Sequence, residues 1–112
     1  MLLAAHIAVL AGAVSAFPSP GTPTAPRATE ISLRGIAPAE IGSMIVTGTR
    51  TGRHEGALEP HPDGQGASFV PDQRFRPGER VIVRTGLNVR GARDGDYSFT
   101  IAEFPSAIQR AL

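Results

Sequence analysis

Two runs of alternating side chains constrain this chain more than anything else in it. In Arg80-Val81-Ile82-Val83-Arg84-Thr85, the two valines share one face, and Arg80, Ile82 and Arg84 share the other. In Asp96-Tyr97-Ser98-Phe99-Thr100-Ile101, the aromatics and Ile101 face away from Asp96, Ser98 and Thr100. Successive side chains of a β-strand point to opposite faces, so both runs predict strands with one buried side. Arginine stems would partly cover Ile82. Thirteen glycines and ten prolines among 112 residues predict many turns and little helix.

Shorter runs extend the pattern. Ile31 and Leu33 alternate with Ser32 and Arg34, which predicts a strand over 29–35. MIVTGT predicts a second over 43–49, RHEGALE a weak third over 53–59 centred on Leu58, and Ser68 to Val70 a short fourth closed by Pro71. PHPDGQG (60–66), Pro77-Gly78 and Asp94-Gly95 are turn signals, because Pro fixes φ and Gly supplies positive φ. Six or seven short strands spaced by such turns predict an all-β fold, a small antiparallel Ig-like β-sandwich over residues 29–104. The expected core is Ile31, Leu33, Ile45, Leu58, Phe69, Val81, Val83, Tyr97, Phe99 and Ile101. A core of that size, with no cysteine to staple it, predicts marginal stability.

Residues 1–16 read as a signal peptide. MLLAAHIAVLAGAV is apolar except for His6, and Val14-Ser15-Ala16 places small residues for cleavage after Ala16. No Lys or Arg precedes the apolar run, which leaves the α-amino group as its positive end. The run is too short to span a bilayer of about 30 Å as a helix. The expected location is therefore secreted, with no membrane span. FPSPGTPTAPR carries four prolines in eleven residues, which predicts an extended, mobile tether over 17–28. Residues 105–112 are a C-terminal tail.

The chemistry-bearing residues assemble into no known constellation. Net charge is +1, which implies no bulk attraction to nucleic acid or anionic membrane. His6 lies in the leader. His54 and His61 could in principle be joined by Glu55, Glu59 or Asp63 around zinc, but their spacing matches no ligand pattern, and both read as exposed. Asp94-Gly95-Asp96 is explained by turn geometry and lacks the further oxygens calcium requires. Gly64 to Ser68 runs into a strand and not a helix, so it is no nucleophile elbow. No glycine-rich loop precedes a helix, which removes support for nucleotide binding. No catalytic residue, metal or cofactor is expected.

The arginines are the remaining candidates. Arg50 and Arg53 bracket one turn, Arg74 and Arg76 precede the Pro-Gly turn, with Arg80 and Arg84 beyond it, and Arg90 and Arg93 sit in the last loop. Gathered at one end of the sandwich, Arg50, Arg53, Arg74, Arg76, Arg90 and Arg93 could bind sulfate, an acidic glycan or a phosphate backbone through bidentate contacts. Asp63, Asp72, Glu79, Asp94 and Asp96 lie in the same segments and are expected to neutralise them, so a solvated, salt-bridged face is the first reading. Those loops lack stacking aromatics apart from Phe75, which speaks against nucleic acid.

The order of GASFVPDQRFRPGERVIVRTG, a loop, and then GDYSFTIAEFP resembles bacterial Ig-like domains, in which a Phe-x-Pro-Gly-Glu turn introduces a strand of alternating valines. More narrowly, VTGTRTGRHEGAL, DGQGASFVPDQRFRPGERV and GDYSFTIA resemble the N-terminal β-domain of exported arylsulfotransferase-like proteins of actinobacteria, over residues 29–104. In that family a histidine in a large downstream β-propeller carries the sulfuryl transfer, and no such propeller occurs in this sequence. The resemblance implies a non-catalytic accessory or spacer module with a propeller as its possible partner. Alternatively, the chain is the leading piece of such an enzyme, or an anion- or glycan-binding module.

Overall fold

Val81 and Val83 are fully buried and Arg80 and Arg84 are exposed, as their alternation requires. In the computed structural model, which describes residues 13–103, eight strands follow one another along the chain. They are β1 (Ser15–Phe17), β2 (Ile31–Arg34), β3 (Met44–Gly48), β4 (Gly52–His54), β5 (Gly56–Pro60), β6 (Ala67–Pro71), β7 (Arg80–Thr85) and β8 (Asp96–Thr100). One turn of 3₁₀ helix, Pro38–Glu40, interrupts them, started by the fixed φ of Pro38. The strands form two four-stranded antiparallel sheets, ordered β1-β2-β6-β5 and β4-β3-β7-β8. This is the expected antiparallel β-sandwich, with eight strands where six or seven are predicted.

The core lies between the sheets. Ile31 and Leu33 of β2 and Ala67 and Phe69 of β6 meet Val46 of β3, Val81 and Val83 of β7, and Tyr97 and Phe99 of β8. Cross-strand register places Val46 opposite Val83, and Val83 opposite Tyr97. Two expected core residues are therefore misplaced. Ile45 is 38% exposed, because a strand whose Val46 points inward must turn Ile45 outward. Leu58 is 39% exposed, on an edge strand whose five residues all reach solvent.

The single strand expected over 53–59 is in fact two, in different sheets. β4 pairs with β3, and after Glu55 the chain crosses to pair β5 with β6. Gly56 permits that crossing, because a Cβ there would collide with the Val70 carbonyl and the Phe69 ring.

The mobile tether expected over 17–28 is an ordered strap. It leaves β1 at the edge of one sheet and runs along β8 at the edge of the other. Gly21 donates to the Ser98 carbonyl at 2.8 Å and Ala25 to that of Thr100 at 2.9 Å, while Thr100 donates to Thr22 and Ala102 to Ala25, both at 2.8 Å. The strap thus covers an edge that would otherwise be open to strand addition.

β1 also bears on the expected leader boundary. Val14 is 2% and Ala16 5% exposed, both packed in the core, and Ser15, Ala16 and Phe17 pair with Arg34, Leu33 and Ser32. A chain cut after Ala16 would lose two of the three residues of this strand. Residues 1–12 of the expected leader, His6 included, and the 105–112 tail lie outside the described residues. Among the described residues, no helix is long and apolar enough to cross a membrane.

Candidate functional site

The Phe-x-Pro-Gly-Glu stretch positions one end of the sandwich. Arg76-Pro77-Gly78-Glu79 closes on itself, with the Glu79 N–H donating to the Arg76 carbonyl at 3.2 Å and Gly78 at φ +78°, as a Pro-Gly type II turn requires. That turn aims the two flanking residues inward. Phe75 and Glu79 are each only 1% exposed.

A buried carboxylate is costly unless donors surround it. Glu79 has them. One oxygen accepts from the backbone N–H groups of Arg50 at 2.8 Å and Thr51 at 3.1 Å. The other accepts from the Arg76 N–H at 2.6 Å and the Thr51 hydroxyl at 3.0 Å. Burial by itself pushes this carboxyl up; the backbone bonds from Arg76, Arg50 and Thr51, together with the Thr51 hydroxyl, outweigh it and hold the group below the ordinary carboxyl range. Glu79 therefore ties the turn after β3 to the turn before β7. Gly48 leaves room for it, since a Cβ at that position would meet its carboxylate.

The Thr51 hydroxyl also contacts His54 Nε2 at 2.6 Å. Its one proton goes to ionised Glu79, so His54 carries its proton on Nε2 and donates it to Thr51. His54 is 7% exposed and its ring lies 4.4 Å from that of Phe75, which in turn meets Phe99 edge-on at 6.4 Å. The expectation of an exposed His54 is thus corrected. It closes the core beneath the turn.

Above this floor is an open cleft of about 710 Å³. Five arginines line it: Arg27, Arg50, Arg53, Arg74 and Arg76. Four are sequence candidates, while Arg27 arrives from the strap. Two are held in place by the chain itself, Arg50 donating to the Pro77 carbonyl at 3.2 Å and Arg27 to that of Phe75 at 3.4 Å. Arg90 and Arg93 lie elsewhere. Arg90 borders a separate hollow beside β1 and the strap, and the backbone of Arg93 bridges that of Asp96 across the Asp94-Gly95 turn.

The acids do not neutralise the cleft as their positions in sequence suggest. Glu79 points inward. Asp63 pairs with Arg34 at 2.6 Å, an interaction that, with the Gln65 N–H, holds its carboxyl below the ordinary range, and Asp96 lies 3.9 Å from Arg84. Among the described residues, only Glu55 and Asp72 border the cleft, Glu55 in an exposed pair with Arg53 at 3.8 Å. Five guanidinium groups thus line the cleft with two carboxylates, and the ionised Glu79 beneath them leaves the cations still in excess. Among the described residues, Arg27, Arg50, Arg74 and Arg76 make no ion pair within 4.0 Å.

His61 takes a different part. Its Nδ1 donates to the Gln65 carbonyl at 2.7 Å, leaving Nε2 to accept from Ser68 at 2.9 Å, so it stitches the 61–66 turn to β6. Among the described residues, no group of three or more His, Cys, Asp or Glu side chains is placed to hold a metal ion.

No protein family matches the chain, and no curated protein does. Among solved structures it is similar to the crystal structure of selenomethionine PcoC, a copper resistance protein from Escherichia coli, with a TM-score of 0.50 and 16% identity. The likeness covers 78% of this chain and 95% of that one. At that identity it concerns the β-sandwich fold alone.

Proposed function

We propose that this chain is a secreted, non-catalytic accessory module of Ig-like form, which works beside a separate catalytic domain. One observation carries the reading. Glu79, the acid bonded to the Thr51 hydroxyl that meets the buried His54, is saturated by four donors from the chain itself. A carboxylate so occupied, and held below the ordinary range, has neither the proton affinity nor the free lone pair of a general base. The Glu79–Thr51–His54 arrangement is a strut.

The test is an assay of the purified chain with an aryl sulfate donor and a phenol acceptor. The expected result is no phenol release above buffer. Release that disappears in His54→Ala while the variant stays folded would overturn the reading.

A second reading is favoured by the sequence resemblance over residues 29–104: the chain is the leading piece of an arylsulfotransferase-like enzyme whose propeller is encoded downstream. Sequencing the coding DNA beyond Leu112 tests it. A propeller frame there supports this reading, and a stop codon followed by unrelated sequence defeats it. Copper has no place in either reading, because the likeness to PcoC extends only to the fold.

A further inference from the structure

We propose that the arginine cleft is a binding site for an anionic glycan, a sugar chain bearing sulfate or carboxylate groups. This goes beyond the accessory reading and does not depend on it.

The arginines supply the first argument. Guanidinium forks pair bidentately with sulfate and carboxylate oxygens. Four of the five make no ion pair among the described residues, and Glu79, the nearest acid in sequence to Arg76, is turned inward. Arg27 and Arg50 are oriented by backbone carbonyls, which lowers the entropy cost of engaging a ligand. Arg74 and Arg76 are exposed and adaptable.

The rest of the lining selects the kind of anion. An open cleft of about 710 Å³ leaves room for an oligomeric ligand that could engage several of the arginines at once, where one sulfate would engage only some of them. Glu55, Asp72 and Gln73 line the same cleft and offer acceptors for hydroxyl donors. A glycan carries such donors on each ring between its anionic groups, whereas the side chains of an acidic peptide offer only more carboxylate. Nucleic acid is disfavoured because the two rings under the cleft, Phe75 and His54, are 1% and 7% exposed and give bases no face to stack on.

The experiment is calorimetric titration of the full chain at low and moderate salt. The probes are a sulfated heparin-type oligosaccharide, a polygalacturonate oligomer, neutral dextran, a poly-glutamate peptide and inorganic sulfate. The expected result is salt-sensitive binding of one or both anionic sugars, no binding of dextran, and weaker binding of the peptide and of sulfate. The sulfated and carboxylated arms identify which anionic group is preferred. The double variant Arg74→Ala/Arg76→Ala, folded by thermal unfolding, should lose about tenfold or more in affinity, and Arg90→Ala/Arg93→Ala should match the unaltered chain. Absence of sugar binding, tighter binding of the peptide, or equal losses in the two double variants would each overturn the proposal.

Discussion

Glu79 holds Thr51 twice, by its backbone N–H at 3.1 Å and by its hydroxyl at 3.0 Å, and so fixes the turn that carries Arg50 and Arg53 to the cleft. Glu79→Gln replaces one acceptor oxygen with a donor amide facing the N–H groups of Arg76, Arg50 or Thr51. Leaving a buried donor unpaired costs about 1–3 kcal/mol, and this variant should lose stability in that range by denaturant unfolding. A loss near zero would mean that the carboxylate is not a strut.

The same group makes stability depend on pH in a defined direction. The folded-state pKa of Glu79 is depressed, so its contribution is fully present above the unfolded value, about 4.3. That contribution disappears as pH falls through the lower, folded value. Unfolding free energy should therefore hold steady from neutral pH down to about pH 5 and decline below it, and the decline should be shallower in Glu79→Gln. Parallel acid profiles for the two proteins would contradict this.

Tyr97 carries the one buried side-chain polar atom that finds no partner among the described residues, its hydroxyl, and burial pushes its pKa far up. Removing an unsatisfied buried hydroxyl while keeping the ring forfeits no hydrogen bond. Tyr97→Phe should be as stable as the parent, or more stable by up to about 1 kcal/mol. A loss of that size would reveal a bond to the hydroxyl that the fold does not show.

If the chain is exported through a cleaved leader, as we propose, the core constrains where the cut falls. Val14 donates to the Asn88 carbonyl at 2.9 Å and accepts from the Arg90 N–H at 2.8 Å, and both Val14 and Ala16 are buried. Three residues before the Val14-Ser15-Ala16 site, the sequence Ala11-Gly12-Ala13 offers the same small-x-small pattern. Cleavage there leaves β1 whole. Intact-mass measurement of the exported protein should give a chain beginning at Val14, and a chain beginning at Phe17 would contradict the assignment. A recombinant chain started at Phe17 should be less stable by about 2–4 kcal/mol, from the lost Val14 and Ala16 packing.

Which features were legible in the sequence depended on whether a residue's neighbours fixed its direction. Val81 and Val83 alternate with arginines, and Tyr97 and Phe99 with polar residues, so the inward faces of β7 and β8 could be read directly. Met44-Ile45-Val46 offers no such contrast; three apolar residues in a row leave the parity open, and only pairing with β7 turns Val46 inward. Leu58 departs from its expected place because its strand lies at a sheet edge, which pairing determines and local pattern does not. Proline density suggested a tether, yet Gly21 and Ala25, which keep their N–H groups, donate to β8. Glu79 looked like one more surface acid. The available signal was its place directly after Phe-x-Pro-Gly, where a tight turn reverses the chain and sends the next side chain back toward Phe75. Nothing local in the sequence marks Arg27 as a cleft residue, because only the folded strap brings it there.

The backbone frame of the cleft is set by the fold itself, while Arg74 and Arg76 remain adaptable upon it. The strap supplies Arg27, and the Arg27 carbonyl accepts the Phe75 N–H at 3.0 Å, joining strap to cleft floor. Residue-resolved hydrogen exchange of the ligand-free chain tests this most directly. The amides of Gly21, Ala25 and Phe75 should exchange slowly, on the timescale of the β8 amides Tyr97 and Phe99, which face β7 and not the strap. Exchange at those three positions as fast as in an unstructured peptide, beside a protected β8, would show a loose strap and an unformed cleft.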